Sequence, residues 1–301
     1  MTASRIGSLS LVTDVLRDVS SSQLKLADLQ NQISSGYKSQ DFAGLNGSVE
    51  QFTQVESQIN RATQFNRNNQ LNIAKLQTAD VALGKITDIA DKIKNAIIGA
   101  NGAVVHTSNL PQIVGDLLVA MGSELNASFN GAYIFGGTDT ITQPVPSTNV
   151  TNTVMGVPDD NYYVGSKSDV MLRMDDRTEA NFPARADNIA FQKIYAAAKQ
   201  AIAGAANNDP SQLQAAQQLI QSGQQDLITL RSAVGTVAAN IQSVDARLKD
   251  LGTYWKELSD GISKTDVVAA STQVAGYQSI LQASYQVYAR LSQLRLSDFL
   301  R

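Results

Sequence analysis

The sequence contains no cysteine. This absence excludes disulfide bonds, thiolate catalysis and metal sites built on cysteine. It also suits a protein that crosses between compartments, because no wrong disulfide can form on the way.

Aromatic and charged side chains are scarce, at 6% and 17% of the 301 residues, whereas Gln, Asn, Ser, Thr and Ala are plentiful. This composition favours slender helical bundles over a thick aromatic core. The net charge of -3 and the lack of a dense Lys/Arg run argue against binding to nucleic acid. No run of about 18 apolar residues occurs, so the sequence predicts no membrane insertion. Asp14, Arg17 and Asp18 interrupt the first twenty residues, and we expect no cleaved Sec signal peptide.

Signals of enzymatic chemistry are also missing. His106 is the only histidine, and we interpret it as a loop residue, because no G-x-S-x-G or phosphate-binding glycine motif accompanies it. The pairs Asp159-Asp160 and Asp175-Asp176 lack a calcium-loop pattern and are interpreted as solvated turn residues. We therefore expect no enzyme activity, no catalytic residue, no cofactor and no metal site.

A long apolar seam does run through the last third of the chain. Its residues alternate spacings of four and three, which is a heptad period, so one side of a long helix must be covered by another helix. The seam comprises Leu230, Val234, Val237, Ile241, Val244, Leu248, Leu251, Trp255, Leu258 and Ile262. A matching seam begins near Phe52 and resumes at Ile73. Together they predict a bundle core that includes Leu76, Leu83, Ile86, Ile241, Leu248, Trp255 and Leu258.

The two ends of the chain carry seams of their own, with Gln23 and Gln30 at two core positions of the first. An ordinary intramolecular bundle would explain these seams without any role in assembly. Their position at the termini, where ordinary domains fray, favours pairing of the two ends and assembly with other copies. The predicted coiled-coil residues are Leu9, Val12, Leu16, Val19, Leu26 and Ile33, with Val274, Tyr277, Leu281, Tyr288 and Leu291.

The remaining segments complete a mainly α fold. Periodicity predicts helices over residues 8–33, 48–98, 109–127, 189–203 and 211–265, and onward to Arg290, with Gly36 capping the first and residues 99–102 breaking the second. Residues 131–138 are typical of a short strand with a glycine turn, and residues 161–164 and 169–174 are β-prone. The predicted fold class is mainly α, a long antiparallel coiled coil or helical bundle formed by the N- and C-terminal segments, with a small β-rich insertion at 138–186.

Several segments resemble the bacterial flagellin superfamily, and among its members the hook-filament junction proteins. Residues 29–36 (LQNQISSG), followed by DFAG at 41–44, are similar to the family's first helix end and acidic loop. Residues 83–86 resemble part of the family's next helix, and residues 99–102 resemble the Ala-Asn-Gly segment at which the chain leaves that helix. Residues 131–138 (GAYIFGGT) and the closing stretch from 277 to 300 are similar to the junction proteins. Arg295 and Arg301 depart from the closing signature, and a filament-forming flagellin remains the alternative.

The resemblance implies a structural protein that forms the adaptor layer between flagellar hook and filament. It implies a terminal coiled-coil domain (1–40 and 266–301) that is disordered until assembly, a rod-like helical bundle (41–137 and 187–265) and an outward-facing β-rich insertion (138–186). The implied partners are other copies of the chain, the second junction protein on the hook side, flagellin on the filament side, an export chaperone and the export apparatus. The implied location is extracellular, after type III export without a cleaved signal peptide.

Overall fold

The computed structural model describes residues 2–45, 47–102, 109–148 and 153–299, with side chains from residue 13 to residue 290 apart from residues 43, 101 and 102. Its elements in chain order are α1 (Thr2–Ser35), a 3-10 helix (Phe42–Leu45), α2 (Val49–Gly102), α3 (Leu110–Leu125), β1 (Ser128–Phe129), β2 (Ala132–Tyr133), β3 (Met171–Arg173), β4 (Glu179–Asn181), α4 (Ile189–Ala206), α5 (Pro210–Ser263) and α6 (Val267–Phe299). The predicted mainly α class with a small β-containing insertion is confirmed. None of the described helices has the combined length and apolar character that crossing a membrane requires.

Helix α1 ends at a glycine cap, whereas α2 continues beyond the end that the sequence predicts. Gly36 has φ +78° and its N–H donates to the carbonyl of Gln32 at 2.8 Å, so the predicted left-handed cap of α1 is confirmed. The predicted break of α2 at residues 99–102 is wrong, because the helix continues to Gly102. Ile97 and Ala100 are buried on its inner face. Their burial offsets the cost of about 1 kcal/mol that each glycine adds to a helix interior.

Short polar side chains begin the last three helices. Asn188 accepts from the N–H of Ala190 at 3.0 Å at the start of α4. Asp209 precedes Pro210 and accepts from Ser211 N at 2.9 Å. Asp266 accepts from Val268 N at 2.9 Å and Ala269 N at 3.0 Å. Each satisfies backbone donors that the first helical turn leaves unpaired.

The β structure of the described residues consists of two small antiparallel hairpins. In the first, Ser128 pairs with Tyr133, and Asn130 and Gly131 form the turn with φ of 51° and 79°. Two consecutive positive φ values are typical of a type I′ turn, which Asn-Gly favours. The second pairs β3 with β4, with Leu172 opposite Ala180. The first hairpin precedes the predicted insertion, and only the second lies inside it.

Residues 161–164, predicted as β-prone, form no strand. Tyr162 is fully buried and its hydroxyl donates to Ala186 O at 2.7 Å, while the hydroxyl of Tyr163 donates to Ser166 O at 2.7 Å. Burial raises the pKa of Tyr163 to about 12, so this phenol stays a protonated donor at neutral pH. Tyr162 thus attaches the segment to the residues at the start of α4, while Tyr163 closes a local turn.

The chain divides into two compact units. One comprises Met1–Asn60 with Gly252–Arg301, and the other Arg61–Leu251. The three-part division expected from the sequence stays a prediction.

The larger unit has one continuous core to which helices and insertion both contribute. The Tyr162 ring lies 4.3 Å from that of Tyr195 on α4. Hairpins of two or three residues per strand cannot bury a core of their own, so the insertion uses that of the helices. The residues that the insertion contributes to this hydrophobic core are Val145, Tyr162, Tyr163, Leu172, Met174, Phe182, Ala184 and Ala186. The inner side of the insertion is therefore fixed by this core, and its outward-facing orientation stays a prediction.

Helices α2 and α5 run antiparallel within the larger unit. Arg231 Nε donates to Asp80 at 3.1 Å, and Gln224 Nε2 donates to Asp91 at 2.8 Å, so later residues of α2 face earlier residues of α5. The hydrogen bond from Lys94 lowers the pKa of Asp91. Between these helices lies the apolar core that the two seams predicted.

Candidate assembly surface

The terminal helices α1 and α6 pack side by side and antiparallel in the smaller unit. At one end Thr265 N donates to Gly36 O at 3.0 Å, next to a bridge between Tyr37 and Lys264. Farther along, Gln23 Nε2 donates to the Tyr285 hydroxyl at 2.7 Å. Increasing residue numbers on α6 thus meet decreasing numbers on α1. The two ends of the chain form one helical pair, as the sequence predicted.

The segment that follows α1 is attached to the end of α5. Lys38 N donates to Ser263 O at 2.8 Å, and Lys38 Nζ donates to Gly261 O at 2.7 Å and Ile262 O at 3.0 Å. These carbonyls belong to the last turn of α5, where a helix leaves acceptors unpaired and its dipole favours a cation. Lys264, the residue after the end of α5, donates a hydrogen bond to Asp260, and this bond raises the pKa of Lys264. The start of α6 is thereby held beside the end of α1.

A narrow stripe of side chains is buried between α1 and α6. Of the predicted coiled-coil residues, Val19 and Leu281 are buried in this stripe, whereas Leu26, Ile33, Val274 and Tyr277 are half-buried. The side chains of Leu9, Val12 and Leu291 lie outside the described residues. The buried members are Val19, Ser22, Leu29, Ala270 and Leu281.

Gln23 and Gln30, predicted at core positions, are exposed. Ser22 and Leu29, one residue earlier in each case, are buried instead. Neighbouring residues lie about 100° apart around a helix, so the contact stripe runs through the positions that precede the two glutamines. Hydration of the two amides favours the same displacement. No sequence signal for Ser22 was recognised, because a serine does not contribute to an apolar seam.

The helical pair leaves other apolar side chains in solvent. Leu24 is 71% exposed and Val268 78%, and Leu16, Ile280 and Tyr288 are also exposed. Two helices can cover only one face of each other, so the rest of the pair is open to a further helix. This is the surface we assign as the candidate assembly surface.

A groove lies between the start of α2 and the end of α5 in the same unit. Its volume is about 360 Å³, and it is lined by Gln51, Gln54, Val55, Gln58, Trp255, Leu258 and Ile262. We call it the tryptophan groove. Trp255 is half-buried and packs edge-on against Tyr254 with ring centroids 5.1 Å apart. None of its lining side chains is charged.

Two predicted bundle-core residues, Trp255 and Leu258, line this groove and do not lie in a closed core. Leu258 is 39% exposed. The lining positions of α2 are mostly glutamines, and Val55 is the one aliphatic residue that α2 contributes, so α2 supplies too few apolar atoms to cover the seam of α5. The other five predicted core residues are buried: Leu76, Leu83, Ile86, Ile241 and Leu248.

The two acidic pairs have structural partners. Asp159 accepts from Asn161 N at 2.9 Å, and Asp160 pairs with Lys167. Asp175 was predicted to be solvated, but it is buried: it accepts from Arg177 N at 2.7 Å and Thr178 N at 2.6 Å and pairs with Arg247. It is buried because its carboxylate closes the turn between β3 and β4.

Burial raises the pKa of Asp175, but its hydrogen bonds to the turn and the charge of Arg247 outweigh that effect and lower the pKa overall. Among the described residues, no three acidic or histidine side chains lie close enough together to hold a metal ion. His106 lies outside those residues.

Comparison with known proteins gives one family match, to the N-terminal part of the chain, and solved structures of similar fold. Residues 6–140 match the model of the bacterial flagellin N-terminal helical region. No curated protein matches the chain by sequence. Among solved structures, a protein from Vibrio parahaemolyticus, provisionally assigned as flagellar hook-associated, aligns with TM-score 0.58 and 12% identity, over 71% of this chain and 96% of its own. FlgL from Bacillus cereus aligns with TM-score 0.53 and 15% identity, over 68% and 96%. Residues 6–140 are thus similar to the flagellin N-terminal helical region, and the fold of the chain is similar to the folds of these two solved structures.

Proposed function

We propose that this protein forms an adaptor layer between the flagellar hook and the filament by self-assembly through its terminal helices. The observation that carries the proposal is the α1–α6 pair. It joins the two ends of the chain and leaves Leu16, Leu24, Val268 and Ile280 exposed. Exposed apolar residues on a helical pair are typical of a surface that further helices cover.

The choice of the junction within the flagellum rests on two lines of support. The sequence segments at 131–138 and 277–300 resemble junction proteins, and the two solved structures of similar fold are a protein provisionally assigned as flagellar hook-associated and FlgL. The proposed partners follow from that position: copies of the chain itself, the second junction protein toward the hook, and flagellin toward the filament. An export chaperone and the type III export apparatus complete the set.

Assembly and ordering of the termini are proposed to be one event. Fixing the backbone of roughly 70 terminal residues costs about 1–2 kcal/mol for each residue. Contact with several neighbouring copies offsets this cost, so the ends of the chain order fully when they pack in the layer. The protein can then leave the cell with its termini unpaired and become ordered at its destination.

Immunogold electron microscopy of purified flagella tests the position. The antibody is raised against residues 138–186, whose exposed side includes Ile141 and Val157. We expect a single band of label where the hook meets the filament. A strain that lacks the protein serves as the control for label specificity. The absence of label from flagella would refute a flagellar structural role.

A filament-forming flagellin is the second candidate, because the matched family model is that of the flagellin N-terminal region. The same micrographs separate the two functions. Label along the whole filament would establish the flagellin function and exclude the adaptor layer.

A further inference from the structure

Helix α6 carries a second stripe of mostly small or apolar residues, beside the stripe that contacts α1. Its members are spaced alternately by four and three residues, as in the heptad pattern of a helix that has a helical partner. We call it the outer stripe, and it consists of Ala269, Gln273, Gly276, Ile280, Ala283 and Val287. All six are exposed. At about 100° per residue, the outer stripe lies roughly a quarter turn around the helix from the residues that contact α1.

We propose that the outer stripe of one copy packs into the tryptophan groove of a second copy. This inference rests on the proposed self-assembly and names the two surfaces that meet. Both lie in the smaller unit of the chain, and no residue of α6 is among the groove's lining side chains. The proposed occupant of the groove is thus a second copy of this chain.

The charges of the two surfaces match. The groove is lined by glutamine and apolar side chains without a charge. Residues 267–289 of α6 contain no Asp, Glu, Lys or Arg, and they form the longest uncharged stretch within any helix of the chain. Burying an unpaired charge in such a groove is strongly unfavourable, so an uncharged helix is the occupant that fits.

The other exposed helix of the pair does not fit in the same way. Leu16 and Leu24 of α1 are exposed, but Asp14, Arg17 and Lys25 lie beside them. Inserting α1 into the groove would remove some of these charges from water without offering a charged partner.

The side chains also match in size and polarity. Ala269, Gly276 and Ala283 are small enough for the backbone of α6 to approach the groove closely, while Ile280 and Val287 supply apolar atoms for contact with Trp255. Gln273 of the outer stripe can exchange amide hydrogen bonds with a glutamine of the groove, because each amide both donates and accepts.

This contact joins two different surfaces of the same chain. It is therefore heterologous, and each copy that has accepted a neighbour still offers its own outer stripe or groove to the next one. Repetition produces a ring or a helical layer, whereas a contact between two identical surfaces would stop at a dimer.

Cross-linking of the full chain tests the proposal directly, because the absence of cysteine allows single thiols to be introduced. Gln54→Cys marks the groove and Ala283→Cys marks the outer stripe. The two single-cysteine proteins are mixed, assembled with ammonium sulfate and oxidised, with sedimentation and electron microscopy to verify assembly. The expected product is a mixed disulfide dimer of the two variants. Gln282→Cys is the matched control, because this exposed neighbour faces the other side of α6 and should give little mixed product.

Trp255 supplies a second readout, because it is the only tryptophan. On assembly we expect a shift of its emission to shorter wavelength and a severalfold decrease in quenching by acrylamide. Ile280→Glu should abolish both changes and the assembly, while Gln282→Glu should preserve them. Circular dichroism of the unassembled variants verifies that the helices are retained.

The outcomes separate this inference from the proposed function. Assembly without the mixed disulfide and without a change at Trp255 would overturn the inference and leave self-assembly intact. Disulfides between two Ala283→Cys chains in place of the mixed product would show that outer stripes pair with each other, which would also overturn it. Failure of the unmodified protein to assemble under any condition would overturn both.

Discussion

Asn69 of α2 donates from Nδ2 to the main-chain carbonyl of Met174 at 3.0 Å, and this hydrogen bond is buried. It attaches Met174, the residue that follows β3, to α2. The adjacent Asp175 pairs with Arg247 of α5, so the same hairpin also contacts the second long helix. The cation of Arg173 lies 5.8 Å from the centre of the Phe65 ring. The β3–β4 hairpin thereby connects α2 with α5.

Replacing Asn69 by Ala is expected to destabilise the larger unit. The substitution leaves the carbonyl of Met174 buried without its donor, which costs about 1–3 kcal/mol. Urea denaturation followed by circular dichroism measures the loss. Asn68→Ala, at the exposed neighbouring position, serves as the control and should change the midpoint little. Equal stability of Asn69→Ala and the unmodified protein would show that the hairpin is not held through this bond.

The stability of the larger unit should depend on pH through Asp175. Its pKa is lowered in the folded protein from the ordinary value of 3.8. The stabilising contribution is therefore complete above the unfolded pKa and is lost as the pH falls through the lower, folded one. We expect the melting temperature to fall less between pH 5 and pH 2.5 in Asp175→Asn than in the unmodified protein. Asp176→Asn, at the exposed neighbour, should retain the original pH dependence. Parallel curves for all three proteins would contradict this role of Asp175.

Leu83→Ala should be among the most destabilising substitutions in the chain. Leu83 is fully buried at the centre of the α2 seam, and truncation of a buried leucine costs about 2–5 kcal/mol. Val81, two residues away, is 61% exposed, and Val81→Ala should cost far less. Chemical denaturation of the two variants side by side provides the comparison. A similar loss for both would mean that the seam does not carry the core.

Assembly and stability should respond differently to two leucines of the terminal pair. Leu281 is 7% exposed and packs between α1 and α6, whereas Leu16 is 50% exposed. Leu281→Ala should weaken both the helical pair and assembly. Leu16→Ala should weaken assembly while leaving the unassembled protein as stable as before. Sedimentation of the assembled protein and denaturation of the unassembled protein distinguish these effects. Normal assembly by Leu16→Ala would remove this position from the assembly surface.

Two glycines should respond to alanine in opposite directions. A Cβ at Gly235 of α5 would meet no atom within 4 Å, so Gly235→Ala should stabilise the helix by about 0.5–1 kcal/mol. Gly137 has φ +66°, and a Cβ there would lie 2.1 Å from Ser166 O. Gly137→Ala should therefore destabilise the protein. Thermal melts of both variants check the two signs, and stabilisation at residue 137 would be incompatible with the close approach described here.

The sequence predicts the helices well because their seams are long and regular. The seam from Leu76 to Ile97 is buried along its whole length, as a heptad pattern that continues for many turns implies. Gly36 and the Asn207–Pro210 turn were also recognisable, since their residue types have few alternative roles.

Features that depend on tertiary contacts could not be read from the sequence. The helix through residues 99–102 persists because Ala100 is buried, and the residues around Tyr162 leave the β conformation because their rings enter the core. The groove at Trp255 exists because α2 places glutamines opposite the apolar seam of α5. The sequence of either helix alone does not show which residues of the other helix face it. The outer stripe of α6 is not evident in the sequence, because alanine and glycine contribute little to an apolar pattern.

The shared core of the insertion has a consequence for protein engineering. Replacing residues 138–186 wholesale with a foreign peptide would remove Tyr162 and Phe182 from beneath the helices and leave a cavity. Ile141, by contrast, is 89% exposed and sits in a turn closed by Asp139, which accepts from Ile141 N at 3.1 Å and Thr142 N at 3.0 Å. A short epitope grafted at that tip would be displayed in multiple copies wherever the protein polymerises.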